Sequence, residues 1–159
     1  MQAFPPTHIY ATGKHKDKHL AAVEADYLGR LGSAVTLNLS NPPVTVRGQH
    51  QAEAFYAGAF RRDAVVLALD EGGTTMGSQA FSQLLSQIAG SARTPVFLIG
   101  GDSGLFPEHL KQAQYRLAFG AMTWPHLLAR VLLLEQLYRA QCILRGHPYH
   151  REGARRGGG

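Results

Sequence analysis

The sequence predicts an α/β domain built on a parallel sheet, and three observations carry that prediction. Apolar, strand-like runs alternate with segments of helical period along the chain. One run, AVVLALD (Ala64 to Asp70), is almost continuously apolar, as a strand covered on both faces is. Two others, HIYATG (His8 to Gly13) and TPVFLIG (Thr94 to Gly100), end in glycine, where a chain leaving a sheet turns towards its next element.

Taken in order, His8 to Gly13 is the first strand. Lys14 to Leu31 follows as a helix, with Leu20, Val23, Tyr27, Leu28 and Leu31 at helical spacing. AVTLNLS (Ala34 to Ser40) is the second strand, and the Pro42-Pro43 loop leads into a helix from about His50 to Phe60. Ala64 to Asp70 is the third strand, followed by a helix after Gly77, the fourth strand Thr94 to Gly100 and a helix from Pro107 to Gln114. A short strand around Leu117 to Met122 precedes a long helix with Pro125 in its first turn, where the missing N–H costs nothing. Periodicity alone makes this a small doubly wound, Rossmann-like sheet. Residues 1–152 form one domain, and the low-complexity end GARRGGG (Gly153 to Gly159) is expected to be disordered.

A chain of 159 residues can bury one sizeable core. With 45% hydrophobic and 17% charged residues it is globular and not intrinsically disordered. The net charge of +5 favours an anionic partner such as RNA. The single cysteine, Cys142, cannot form an intramolecular disulfide and reads as packing on the final helix, which points to a reducing, cytoplasmic setting. MQAFPPTHIY lacks a signal-peptide pattern, and Arg130, Glu135 and Arg139 interrupt the apolar stretch Leu127 to Leu144, so no membrane span is expected. The apolar residues of that stretch spread around the whole helix, which predicts cover from a second copy, hence a homodimer with this helix near the interface. Glu135 and Arg139 stand at i, i+4, the spacing of a helical ion pair. Histidine pairs at His15/His19 and His147/His150 lack the further ligands of a structural metal site, so none is expected. With Lys14, Lys16 and Lys18, His15 and His19 read instead as a basic patch for phosphates.

Three segments of the last third carry the chemistry: VFLIGGDSGL (Val96 to Leu105), AMTWPHLLARVLLLEQLYRAQ (Ala121 to Gln141) and HPYHRE (His147 to Glu152). Gly100 and Gly101 allow the backbone to approach a ligand, or they form a tight turn. They do not complete a G-x-G-x-x-G dinucleotide fingerprint. His126 and Arg130 lie one turn apart on one helix face, so both can point at a ligand held by the preceding loop. HPYHRE concentrates more polar chemistry than a solubilising tail requires.

These motifs, in this order, resemble the RlmH family, SPOUT-class methyltransferases that methylate N3 of a pseudouridine in 23S rRNA. The resemblance is dense from Leu98 to Glu152 and looser upstream, through Gly13-Lys14, Tyr27-x-x-Arg30 and LDEGG (Leu69 to Gly73). It implies a C-terminal deep trefoil knot, which pattern reasoning would not propose, a two-fold dimer, and action on assembled ribosomes. It also implies S-adenosyl-L-methionine as cofactor, with contacts at Leu69, Gly100 and Gly101, and along Gly120, Ala121, Met122, Thr123, Trp124 and Pro125. The target N3–H is a weak acid, so the reaction needs a base or a cationic surrounding for the anion. His126, Arg130, Tyr149, His150 and Arg151 are the expected catalytic residues, the tail residues reaching a neighbouring subunit's pocket. The rival readings are a SPOUT methyltransferase with another rRNA or tRNA target and a non-catalytic ribosome-binding protein of the same fold.

Overall fold

The computed structural model describes residues 4–42 and 45–151. Glu152, Pro43 and the glycine-rich end, with the disorder expected of it, lie outside the described residues. Five parallel strands form one sheet in the order β2-β1-β4-β3-β5, with β1 at Thr7–Thr12, β2 at Val35–Ser40, β3 at Ala64–Thr74, β4 at Thr94–Leu98 and β5 at Tyr115–Leu117. The helices are α1 (Lys18–Leu31), α2 (Val46–Ala57), α3 (Ser78–Gly90), α4 (Pro107–Gln112) and α5 (His126–Arg145).

Alternation along the central strands explains the layers. Ile9, Val65, Leu67, Phe97 and Ile99 face one way, against Leu31 of α1, Phe81, Leu85 and Ile88 of α3, and Leu133, Leu134 and Leu137 of α5. Val66, Ala68, Val96 and Leu98 face the other way, against Tyr56 at the end of α2 and a partly buried layer including Phe106 and Leu110. The sheet is therefore covered on both sides, as the unbroken apolar run of β3 requires.

Several expected boundaries move, each for a local reason. The first helix starts at Lys18, because the Asp17 carboxylate caps it by accepting from the N–H groups of His19 and Leu20. Helix α2 begins at Val46, because the Thr45 hydroxyl accepts from the N–H of Gly48 and caps it there; it ends at Ala57, short of the expected Phe60. The last strand is Tyr115–Leu117 and not Leu117 to Met122, because Tyr115, Arg116 and Leu117 pair with Leu67, Ala68 and Leu69 and the following residues turn away as loop. Pro125 caps α5 from outside, with ψ 137. Strand β3 outruns its expected end at Asp70: the chain bulges after Leu69, and Thr74 returns to pair with Leu117. Gly73 fits there because a β-carbon would stand 2.7 Å from the carbonyl of Arg116.

The cover on α5 also differs from expectation. Within a single chain every α5 residue from His126 to Leu144 is at least half-buried, and Leu133 and Leu134 are 0% exposed. The helix lies between α1 and α3 on the sheet, so its apolar circumference is satisfied internally and does not by itself call for a second copy. Cys142 is buried in this packing. Among the described residues no helix is long and apolar enough to cross a membrane.

Candidate active site

A cavity of about 720 Å³ opens at the carboxyl ends of β3, β4 and β5, where parallel α/β sheets place their ligands. Its volume is that of a small-molecule site. Leu69, Asp70 and Glu71 come from β3, Ile99 to Leu105 follow β4, and Leu117 to Gly120 follow β5. Met122 to His126 and Ala129 close the remaining side.

The end of β4 is pinned from both sides. The Ile99 N–H donates to the carbonyl of Tyr10 at 2.9 Å, and the buried Tyr56 hydroxyl donates to the carbonyl of Ile99 at 2.6 Å. The following loop closes on itself through the Gly104 N–H, which donates to the Gly101 carbonyl at 2.9 Å. A β-carbon on Gly100 would sit 2.4 Å from the backbone of Gly104, whereas one on Gly101 would meet only the Thr12 methyl, at 2.9 Å. Gly100 is thus required by the loop's own backbone, and the side-chain direction of Gly101 leads towards β1.

The loop before α5 is tied at two points: the Thr123 hydroxyl donates to the Glu71 carboxylate, and the Trp124 indole N–H donates to the Phe119 carbonyl at 3.3 Å. Met122 and Trp124 remain exposed beside the mouth. Of the expected cofactor contacts, Leu69, Gly100, Gly101, Gly120, Met122, Thr123, Trp124 and Pro125 line the cavity, and Ala121 does not.

The expected catalytic residues separate into three places. His126 lines the cavity, its Nδ1 2.9 Å from Oδ1 of Asp102, while its Nε2 lies over Gly13, 3.2 Å from where a β-carbon would stand. Arg130 does not share that outlook. Its guanidinium is 1% exposed, donating to both carboxylate oxygens of Glu24 and, from Nη1 at 2.9 Å, to the carbonyl of Gly13. The periodicity argument failed because Arg130 is turned beneath the first strand–helix loop, so it supports that loop from behind. His15 belongs to the same buried group, its side chain 2% exposed and Nε2 3.3 Å from Glu24. It is therefore not part of a solvated basic patch, although Lys14, Lys16, Lys18 and His19 are exposed.

Tyr149 and His150 fold back along the C-terminal half of α5 towards its middle. The Tyr149 hydroxyl donates to Glu135 at 3.1 Å, and the His150 ring meets Arg139 at 3.2 Å; Arg151 is exposed. Glu135 and Arg139 stand nine and thirteen residues beyond His126, about 14 and 20 Å along the helix from the cavity end. Neither Tyr149 nor His150 lines the cavity of its own chain.

Four carboxylates were not singled out from sequence. Asp70 and Glu71 stand within LDEGG, a segment that resembles the family without marking a role for either, and Asp102 stands inside the glycine loop. Glu24 meets Arg130 across 106 positions, a separation that leaves no local spacing to read. Among the described residues no group of three His, Cys, Asp or Glu side chains is arranged to hold a metal.

A parallel sheet ending in this strand-end pocket, with a glycine knuckle and a pinned loop before the last helix, defines a ligand-binding α/β enzyme, and comparison with known proteins gives its class. The chain belongs to the SPOUT methyltransferase family, whose model, described as predicted SPOUT methyltransferase, matches residues 6–150. Within that class two relatives that cover most of the chain carry the same name. The protein called ribosomal RNA large subunit methyltransferase H in Gluconacetobacter diazotrophicus is 51% identical over 153 residues, covering 91% of this chain and 97% of the relative. Its namesake in Rhodospirillum centenum is 43% identical over 148 residues, covering 90% and 97%. Solved structures support the fold at low identity. A probable methylase family protein from Haemophilus influenzae superposes with a TM-score of 0.57 at 14% identity, over 94% of this chain and 72% of that one. A probable methyltransferase from Bordetella pertussis gives 0.54 at 14% identity, over 87% and 97%.

Proposed function

We propose that this methyltransferase acts on N3 of a pseudouridine in 23S rRNA, on the assembled ribosome, with S-adenosyl-L-methionine as methyl donor and as a homodimer. The observation that carries the reading is the convergence at one cavity of the segments resembling the family's cofactor loops, with His126 at its edge. Relatives bearing the name of a large-subunit rRNA methyltransferase support the RNA assignment. The deep trefoil knot belongs to this proposal as a feature of the family.

The cavity suits such a cofactor. Leu69, Ile99, Leu117 and Phe119 offer apolar walls to a purine, and Asp70, Glu71 and Asp102 place carboxylates where a sulfonium cation would be favoured. When bound, the cofactor supplies an electrophilic methyl group for in-line displacement. The chain's own residues hold both reactants in line and stabilise the nucleophile. Leu69, the Gly100–Gly101 backbone and the pinned 120–125 loop fix the donor's position. His126, oriented by Asp102, stands at the edge where the base must enter. Tyr149, His150 and Arg151 supply hydrogen-bonding groups and a cation for the deprotonated base. They do not line the cavity of their own chain, and the resemblance assigns them to the pocket of a second copy, which is the role the proposed dimer gives them. The exposed Lys14, Lys16 and Lys18 supply phosphate contacts.

Mass spectrometry of 23S rRNA fragments from cells with and without the gene, followed by methyl transfer to purified ribosomes, tests this reading. A missing N3-methylpseudouridine, restored by the protein, is expected; an unchanged modification map overturns it. Altered tRNA methylation instead would favour a different target, and absence of cofactor binding by calorimetry would favour a non-catalytic ribosome-binding role.

A further inference from the structure

We propose that Tyr27 on α1, with the Glu135–Arg139 pair on α5, is a positioning device that presents the 147–151 segment for catalysis; the proposal rests on the catalytic reading of that segment given above. The contacts form a chain with a definite direction. Tyr149 donates its one hydroxyl proton to Oε1 of Glu135 at 3.1 Å, so in the 3.2 Å contact between the two tyrosine hydroxyls Tyr27 is the donor. Glu135 Oε1 also accepts from Arg139 Nε at 3.0 Å and Nη2 at 2.6 Å. The third Arg139 nitrogen, Nη1, faces Nδ1 of His150 at 3.2 Å. A guanidinium has no lone pair to offer, so His150 accepts at Nδ1 and carries its proton on Nε2.

Rings hold the same arrangement. The Arg139 guanidinium lies 4.9 Å from the centre of the Tyr149 ring, and Tyr149 packs edge-on against Tyr138 at 4.8 Å. One phenol from α1 and one ion pair from α5 thereby fix both the place of the tail and the face that His150 offers. A tail needed only for solubility would have no use for a fixed tautomer. A His150 ring that presents Nε2–H is a hydrogen-bond donor to a carbonyl or to an N3 anion, not the acceptor of its proton.

The test is a double-mutant cycle in the full-length protein, with turnover on ribosomes and cofactor affinity measured separately. Tyr27→Phe keeps the ring packing and removes the hydroxyl. It should lower kcat about five- to tenfold, the size of one hydrogen bond, with KM for ribosomes and cofactor Kd unchanged. Combined with Tyr149→Phe, it should add nothing further, because the Tyr27 hydroxyl acts through the Tyr149 hydroxyl that the second substitution has already removed. Hydrogen exchange at residues 147–151 should rise in Tyr27→Phe and in Glu135→Gln. Additive costs, no cost, a loss confined to cofactor affinity, or unchanged exchange would each overturn the positioning role. Truncation after Gly146 separates this from the functional reading: if the truncated enzyme still methylates ribosomes, the catalytic reading of the tail fails; if it is inactive while the cycle is additive, only the positioning proposal fails.

Discussion

The guanidinium of Arg130 is gripped side-on by the carboxylate of Glu24, with Nε 2.5 Å from one oxygen and Nη2 3.3 Å from the other. The pair is buried, and its remaining contacts tie the Gly13 carbonyl beneath His126. Removing one partner leaves an unpaired charge in the interior, a loss of about 3–5 kcal/mol. Arg130→Met should therefore lower the denaturant midpoint by that equivalent, and any fall in methyl transfer should follow the fall in stability. Full stability with abolished turnover would return Arg130 to the chemistry itself.

The two adjacent glycines should behave differently. Gly100→Ala forces a methyl into the backbone of Gly104 and must open the loop, so cofactor affinity should fall at least a hundredfold in calorimetry. Gly101→Ala asks only that the Thr12 methyl give way, and its loss should be smaller. The reverse order would mean that the side-chain direction of Gly101, not loop closure, governs the pocket.

Leu133 and Leu134 are completely buried within one chain. Leu133→Arg should therefore unfold the protein instead of releasing soluble monomers, and Leu133→Ala should cost about 2–5 kcal/mol. Wild-type protein is expected to sediment as a dimer. A folded, monomeric Leu133→Arg protein would show that this residue belongs to an interface after all.

Acid should weaken the fold through His109. Burial among Tyr56, Phe60 and Phe106 pushes its pKa below the ordinary value, against a weaker upward pull from Glu53 and Glu108, and its Nδ1 has no hydrogen-bond partner among the described residues. His8 is lowered in the same sense, chiefly by burial. A histidine that takes up a proton less readily when folded contributes stability that is complete above its unfolded pKa of about 6.5 and is lost as pH falls towards the folded value. Denaturation at pH 7 and pH 5 should show this loss, and His109→Phe should reduce it. An unchanged pH slope in the variant would remove His109 from the account.

Truncation after Gly146 should abolish methylation and preserve cofactor affinity, since every cavity-lining residue precedes it. Truncation after Glu152 should cost at most a salt-dependent part of ribosome affinity, carried by Arg155 and Arg156. Equal turnover by the two proteins would exclude HPYHRE from the active site.

What was legible in the sequence was local in origin. The doubly covered strand showed in the unbroken run from Ala64 to Leu69, and the cavity loops showed as glycines and a proline beside apolar runs. What was hidden depended on partners distant in the chain. Helical spacing placed Arg130 beside His126 but was silent about Glu24, which takes its guanidinium inward. The overrun of β3 was hidden for a similar reason: the apolar run ends at Asp70, and only pairing with Leu117 carries the strand on to Thr74. The all-round hydrophobicity of α5 was real, but α1, α3 and the sheet supply the cover it needs.

Gly146 ends α5 in the left-handed conformation, φ +71, and the His147 N–H turns back to the Cys142 carbonyl at 2.9 Å. From that reversal only three steps of chain lead to Tyr149, whose phenol must land between two elements. The span works as a ruler. One inserted or deleted residue would displace the phenol by up to about 3.5 Å, more than a hydrogen bond tolerates. The interval from Gly146 to Tyr149 should accordingly accept changes of side chain far more readily than changes of length.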